Sequence, residues 1–144
     1  MAVAKHRFRV AVETRDMDAL VASLAPDVVF YPPIRDAPLR GREAAVAGLR
    51  FAAKAFAFTD RFRYVDELAG ASSVALVFET EIDGQFLEGV DYLVLDEDGL
   101  VRELRISMRP VSAAQKYLDF VTESIASGEF ASAYEVRADA GQPS

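Results

Sequence analysis

The segment SVALVFETEIDGQFLEGVDYLVL, residues 73–95, decides how this chain folds. Apolar and polar residues alternate on both sides of Asp83-Gly84, a dipeptide that favours a two-residue hairpin turn. If Ile82 pairs with Gln85, then Leu76 faces Asp91, Phe78 faces Gly89 and Thr80 faces Leu87. A third strand follows the turn Asp96-Glu97-Asp98-Gly99. Pairing Leu95 with Leu100 places Asp91 beside Leu104 and Gly89 beside Ile106. One face of this meander then carries Val74, Leu76, Phe78, Leu87, Leu93, Leu104, Ile106 and Met108, with Asp91 in their midst. The other carries Glu79, Glu81, Glu88, Tyr92, Glu103, Arg105 and Arg109 among valines, with Glu88 diagonal to Arg105 and Arg109. A slip of one residue would exchange the two faces, so the turns set the whole assignment.

Working outward, the two-residue period begins near residue 60 and gives four strands, near 60–68, 73–82, 85–95 and 100–109. Before it the period is helical. Phe8, Ala11, Val12 and Arg15 share one face of a helix near 3–14. Asp16 is suited to cap a second helix carrying Met17, Leu20, Val21 and Leu24, which Pro26 ends. Val28-Val29-Phe30-Tyr31 reads as a brief strand closed by Pro32-Pro33. A polar loop to Gly41 leads to a third helix with Ala45, Leu49, Ala52 and Phe56 on one stripe. After Pro110, Ala114, Tyr117, Leu118, Val121 and Ile125 mark a last helix, capped near Ser112 and stopped around Gly128. The expectation is one α+β domain over residues 1–127, followed by a polar tail over 128–144 that contains Phe130 and Tyr134.

Composition narrows the function. The chain has 144 residues, 51% apolar and 27% charged, which suits a single folded core. It has no cysteine and one histidine, which excludes disulfides, thiolate metal sites and multi-histidine metal centres. A formal charge of −7 argues against nucleic-acid binding. No apolar run reaches the ~20 residues of a membrane span. The N-terminal MAVAKHRFRV is too charged for a secretory signal, so a cytoplasmic location is expected. Asp96-Glu97-Asp98-Gly99 lacks the spacing of a calcium loop and reads as a turn. No metal or organic cofactor is expected.

Several strings, in order, resemble the NTF2-like superfamily, closest to its SnoaL-like and ketosteroid-isomerase-like branches. They are Arg15-Asp16-Met17-Asp18-Ala19-Leu20 running on to Leu24-Ala25-Pro26-Asp27-Val28-Val29-Phe30, then Gly41-Arg42-Glu43-Ala44, Leu87-Glu88-Gly89-Val90-Asp91, Asp98-Gly99-Leu100-Val101 and Arg109-Pro110. The resemblance covers about residues 3–112. It implies a cone: a strongly curved antiparallel sheet wrapped around the N-terminal helices, enclosing an apolar cavity, here with an extra C-terminal helix. It also implies that the oxyanion-holding acid of the steroid isomerases falls on Asp91. Their tyrosine falls on Phe8, which has no hydroxyl, and their proton-shuttling aspartate on Pro32, which has no acid. Steroid isomerisation by that mechanism is therefore not expected.

Asp91 is the candidate catalytic residue. Among leucines its charged form loses hydration, and a carboxylic acid kept neutral in such a site can donate a hydrogen bond to a ligand oxygen. Ketosteroid isomerase is the standard example of this behaviour. Phe8, Phe30, Tyr64, Leu76, Phe78, Leu93, Leu104 and Ile106 are the candidate ligand-binding positions, each also a plausible core residue. A carboxyl satisfied internally, for instance by the Tyr64 hydroxyl, is the competing reading. His6 stands as either a solvated helix residue or one grazing the cavity mouth, and Asp60 and Asp66 share a strand face with Tyr64.

Two functions stay open. One is a small-molecule-binding protein acting on a carbonyl-bearing or polycyclic compound as an isomerase, cyclase or dehydratase through Asp91. The other is a non-catalytic binding or assembly module. The expected partners are a small apolar ligand and a second copy of the chain. The outer sheet face reads equally as a solvated surface or as the homodimer interface, and the last helix as a cover for the cavity or for the dimer.

Overall fold

The computed structural model describes residues 4–128. The tail from residue 129 onward, with Phe130 and Tyr134, lies outside the described residues. The elements are α1 (Arg7–Glu13), α2 (Met17–Ala22), β1 (Leu24–Tyr31), β2 (Leu39–Arg40), α3 (Arg42–Ala52), a π-helical turn (Ala53–Ala57), β3 (Arg63–Ala69), β4 (Ser73–Ile82), β5 (Gln85–Leu95), β6 (Val101–Arg109) and α4 (Val111–Ala126). The strands form one curved, open sheet in the order β2-β1-β6-β5-β4-β3.

The Asp83-Gly84 hairpin has the expected register: Leu76 pairs with Asp91, Phe78 with Gly89 and Thr80 with Leu87. On the other side of β5 the register differs by two residues. Asp91 pairs with Ile106 and Gly89 with Met108, and Glu88 lies directly opposite Arg109 with which it forms an ion pair. One residue of the difference comes from the turn, where Leu95 pairs with Val101 and not with Leu100. The second comes from a bulge between Leu95 and Val94 that leaves Arg102 as the extra residue. Because the displacement is two, every side chain below it keeps its expected face. The turn itself is closed by the Asp96 carboxylate, which accepts from the Asp98 and Leu100 main-chain N–H groups.

A second bulge, at Val65 in β3, changes what faces inward. Tyr64 pairs with Phe78, but Asp66 pairs with Val77, so the alternation skips one residue. Asp66 is exposed rather than sharing Tyr64's face, and Glu67 is turned toward α1. There it accepts from the His6 main-chain N–H at 3.2 Å and pairs with Arg9 at 3.1 Å. His6 is neither solvated nor at a cavity mouth. Its Nδ1 accepts from Phe8 N at 3.0 Å, capping α1, and its Nε2 donates to the Gly99 carbonyl at 2.9 Å. That pairing requires the neutral tautomer protonated on Nε2. The cap also explains why α1 starts at Arg7 and not near residue 3.

Pro26 does not end α2; it lies inside β1, which starts at Leu24. The β1–β6 pairing is parallel and broken between Leu24 and Val29, so the missing N–H of Pro26 and the exposed Asp27 fall in the gap. The last helix begins at Val111 and buries Ala113, Tyr117, Val121 and Ser124, with Ala114 and Leu118 flanking that stripe half-buried. It packs on its own chain: Tyr117 meets Phe56 edge-on at 5.2 Å and Phe120 meets Phe51 at 6.5 Å.

The curvature depends on Gly89. A Cβ there would press on the Ser107 carbonyl oxygen and come within 2.7 Å of the Phe78 ring. Gly89→Ala is expected to destabilise the fold by about 1–3 kcal/mol, the range of core overpacking. Urea unfolding that gives a free energy unchanged from wild type would contradict this account of the bend.

Candidate functional site

The inward face of the sheet presents one acid. Asp91 is 5% exposed, in the middle of β5 between Leu76 and Ile106. The register set by the hairpin leaves it no route to solvent on the outer face. Tyr64, from β3, donates its hydroxyl hydrogen to Asp91 Oδ2 at 2.7 Å, and both groups are buried. The guanidinium of Arg9, fixed by Glu67 and Glu13, lies 5.7 Å from the Tyr64 ring centroid. The capped α1 and the Val65 bulge thus hold the tyrosine that holds the acid.

Burial pushes the Asp91 carboxyl up to about 7, with the Tyr64 hydrogen bond pulling the other way. Burial also holds the Tyr64 phenol well above its ordinary value, helped by the neighbouring Asp91 charge. Near neutral pH the tyrosine therefore keeps the hydroxyl proton that it donates to Asp91, while the carboxyl is populated in both of its forms.

This pair borders a small cavity of about 20 Å³ whose walls are Phe8, Val12, Leu20, Leu49, Ala52, Ala53, Phe56, Ala57, Phe58, Phe62, Tyr64, Asp91 and Ile106. Such a volume holds about one water molecule. Of the candidate positions, Asp91, Phe8, Tyr64 and Ile106 border the cavity. Phe30, Leu76, Phe78, Leu93 and Leu104 are fully buried packing residues and do not. Phe30 lies under α3, where Gly48 leaves room for its ring. Phe78 supports the wall from behind, stacked on Phe56 at 5.8 Å and on Phe62 at 5.1 Å.

Sequence periodicity passes over Ala53, Ala57 and Phe58, because the chain leaves α3 through a π-helical turn in which Phe58 N–H bonds back to Ala53 O at 2.8 Å. The shift leaves Ala53, Phe56, Ala57 and Phe58 on the cavity wall. Thr59 Oγ1 and the buried Thr80 Oγ1 each donate to the Phe56 carbonyl at 3.0 Å, which holds that wall in place. A threonine on the otherwise apolar inward face of β4 is the one signal in the sequence that could have marked this junction. Asp60 precedes β3 and does not share the face of Tyr64; it is exposed and paired with Arg15 at 2.7 Å. Among the described residues there is no group of three or more His, Asp or Glu side chains placed to hold a metal ion.

Residues 5–104 match the family model of the SnoaL-like domain. An uncharacterized bacterial protein with a cystatin-like fold from Silicibacter pomeroyi is 25% identical, with a TM-score of 0.80, over 94% of this chain and 91% of that one. A steroid delta-isomerase from Pseudomonas aeruginosa is 29% identical, with a TM-score of 0.76, over 83% of this chain and 87% of its own. A SnoaL-like protein of unknown function from Burkholderia thailandensis, 22% identical over 72% of this chain and 90% of that one, shares the fold with a TM-score of 0.59. No curated protein matches the sequence.

The buried acid sets a pH dependence. The folded chain keeps the Asp91 proton up to about 7, whereas the unfolded chain releases it near the ordinary aspartate value of 3.8. Between those values the folded state binds more protons, so the contribution of Asp91 to stability falls as pH rises and is fully lost above 7. The span corresponds to roughly 4 kcal/mol. Glu13 and Asp60, whose carboxyls are held low by basic neighbours, slope the other way. The informative quantity is therefore the difference between wild type and Asp91→Asn. Urea unfolding is expected to show the wild type losing ground to that variant from pH 4 to pH 8, and a difference that stays flat would contradict it.

Proposed function

The chain belongs to the SnoaL-like domain family, and from that premise we propose that it binds a small apolar carbonyl compound at the Tyr64–Asp91 pair and rearranges it. The reaction class is isomerisation, cyclisation or dehydration. What carries the reading is the inward-facing Asp91 carboxyl, bonded through one oxygen to Tyr64 and bordering the cavity. In the resemblance to the steroid isomerases, the hydroxyl expected at Phe8 is absent; here a hydroxyl reaches the acid from β3 instead. Once it has taken up a proton, Asp91, oriented by Tyr64, is placed to donate a hydrogen bond to the enolate oxygen that the ligand then carries.

A separate base is not at hand, since Pro32 occupies that place and, among the described residues, Asp91 and Tyr64 are the only ionisable side chains bordering the cavity. A carboxyl with a pKa near 7 serves both roles in turn. Ionised, it takes a proton from the carbon beside the carbonyl; neutral, it returns that proton to another carbon. No proton is gained or lost overall. The competing reading, a non-catalytic module, draws on the small cavity volume.

With a ligand found by native mass spectrometry of the purified protein, Asp91→Asn is expected to lower turnover by about 10²–10⁴-fold. It is also expected to remove an inflection near pH 7 from kcat/KM while leaving the fold intact. Turnover and pH profile unchanged in that variant would take Asp91 out of the chemistry.

The same reading includes a cytoplasmic homodimer paired through the outer sheet face. Phe86 and Tyr92 are 48% and 41% exposed, beside a shallow groove lined in part by Val77, Val90 and Met108. Ion pairs such as Arg63–Glu79 rim that surface. Sedimentation velocity is expected to give a dimer for the wild type and a monomer for Tyr92→Glu. A wild-type monomer, or a variant that sediments as wild type does, would refute the pairing.

A further inference from the structure

The wall of the cavity is of two kinds. Phe56 and Phe78 are fully buried and held in regular elements, with the Phe56 carbonyl bound by two threonines. Phe62 and Phe58 are only partly buried. Phe62 follows the turn after the π-helical segment, and its main-chain N–H reaches Thr59 O at a long 3.3 Å. Its ring nonetheless lines the cavity together with Tyr64 and Asp91. It stacks on Phe78 at 5.1 Å and 24°, and it meets the Tyr64 ring edge-on at 4.9 Å and 89°. Phe56, Phe62 and Phe78 lie within 28° of parallel to one another.

We propose that the Phe62 side chain occupies the ligand's own place: it swings out on binding, and the molecule that replaces it is a single six-membered ring. This inference rests on the reading of Tyr64 and Asp91 given above and narrows its ligand from a small apolar carbonyl compound to a monocyclic one. A planar or nearly planar ring in the vacated space would stack on Phe78 and meet the edge of Tyr64, as the Phe62 ring does. A carbonyl on that ring would face the acid. The small cavity of about 20 Å³ then measures the closed state, and the size of the site is set by the ring that leaves it. Four fused rings would have to displace Phe56 and Phe78 as well, which their burial opposes. Ring-sized cavities with apolar walls hold ring-sized guests well.

The test compares wild type, Phe62→Ala and Phe62→Leu by calorimetric titration with 2-cyclohexenone, toluene and a four-ring steroid enone. Removing the plug spares the ligand the work of displacing it. Phe62→Ala is therefore expected to bind cyclohexenone at least about tenfold more tightly than wild type, with Phe62→Leu between them. The steroid should gain nothing. A folded Phe62→Ala protein with unchanged cyclohexenone affinity overturns the proposal, as does tighter binding of the steroid than of the single ring. If the alanine variant does not fold, the leucine variant decides: no gain there overturns it too. Should toluene bind as tightly as cyclohexenone in the opened site, the plug stands and the role given to Asp91 fails, so the two readings are separable.

Discussion

A single hydrogen bond, from the Tyr64 hydroxyl to the Asp91 carboxylate, ties together the parts of this molecule that matter for function. A carboxyl this deeply buried is costly unless neutral or paired, and an unmatched polar group there would cost more than most single contacts return. The structure answers with one partner and a raised pKa, not with a counter-ion. Much of the surrounding architecture places that partner. The Val65 bulge turns Glu67 toward α1, Glu67 fixes Arg9, and Arg9 flanks the Tyr64 ring. Helix α1 is fixed in turn by the His6 cap, which reaches across to the β5–β6 turn.

The position of Asp91 was legible because two independent signals agree. The Asp83-Gly84 turn sets the register, and alternation sets the faces. Even the misjudged β5–β6 pairing left the faces intact, since an error of two residues is invisible to a period of two. What could not be read were the bulges. An extra residue at Val65 or Arg102 has no compositional mark, yet the first sends Asp66 outward and brings Glu67 into service. The π-helical turn is hidden for a similar reason: Ala45, Leu49, Ala52 and Phe56 fit an ordinary helix, and the change of winding appears only in where Phe58 ends up. Proline misled at position 26, where a gap in a parallel pairing tolerates it and a helix end had been expected. Of the candidate site, the acid and its hydroxyl partner could be named from sequence. The aromatic wall could not be divided into fixed and movable parts without coordinates.

Family membership fixes the scaffold and leaves the chemistry to the residues. Phe8 and Pro32 stand where the resemblance to steroid isomerases would have a hydroxyl and a base. The acid remains, the hydroxyl comes from another strand, and the cavity is filled by aromatic rings of the chain itself. On the function proposed for it, this is a site for something smaller than a steroid, worked by one group that changes its protonation state during the cycle.

That account stands or falls on the protonation of one side chain. Carbon-13 NMR of the labelled Asp91 carboxyl across a pH titration reads it directly. A midpoint near 7 is predicted, moving higher when Tyr64→Phe removes the hydrogen bond that favours the ionised form. A midpoint close to that of an ordinary exposed aspartate, unmoved by the loss of the Tyr64 hydroxyl, would contradict it.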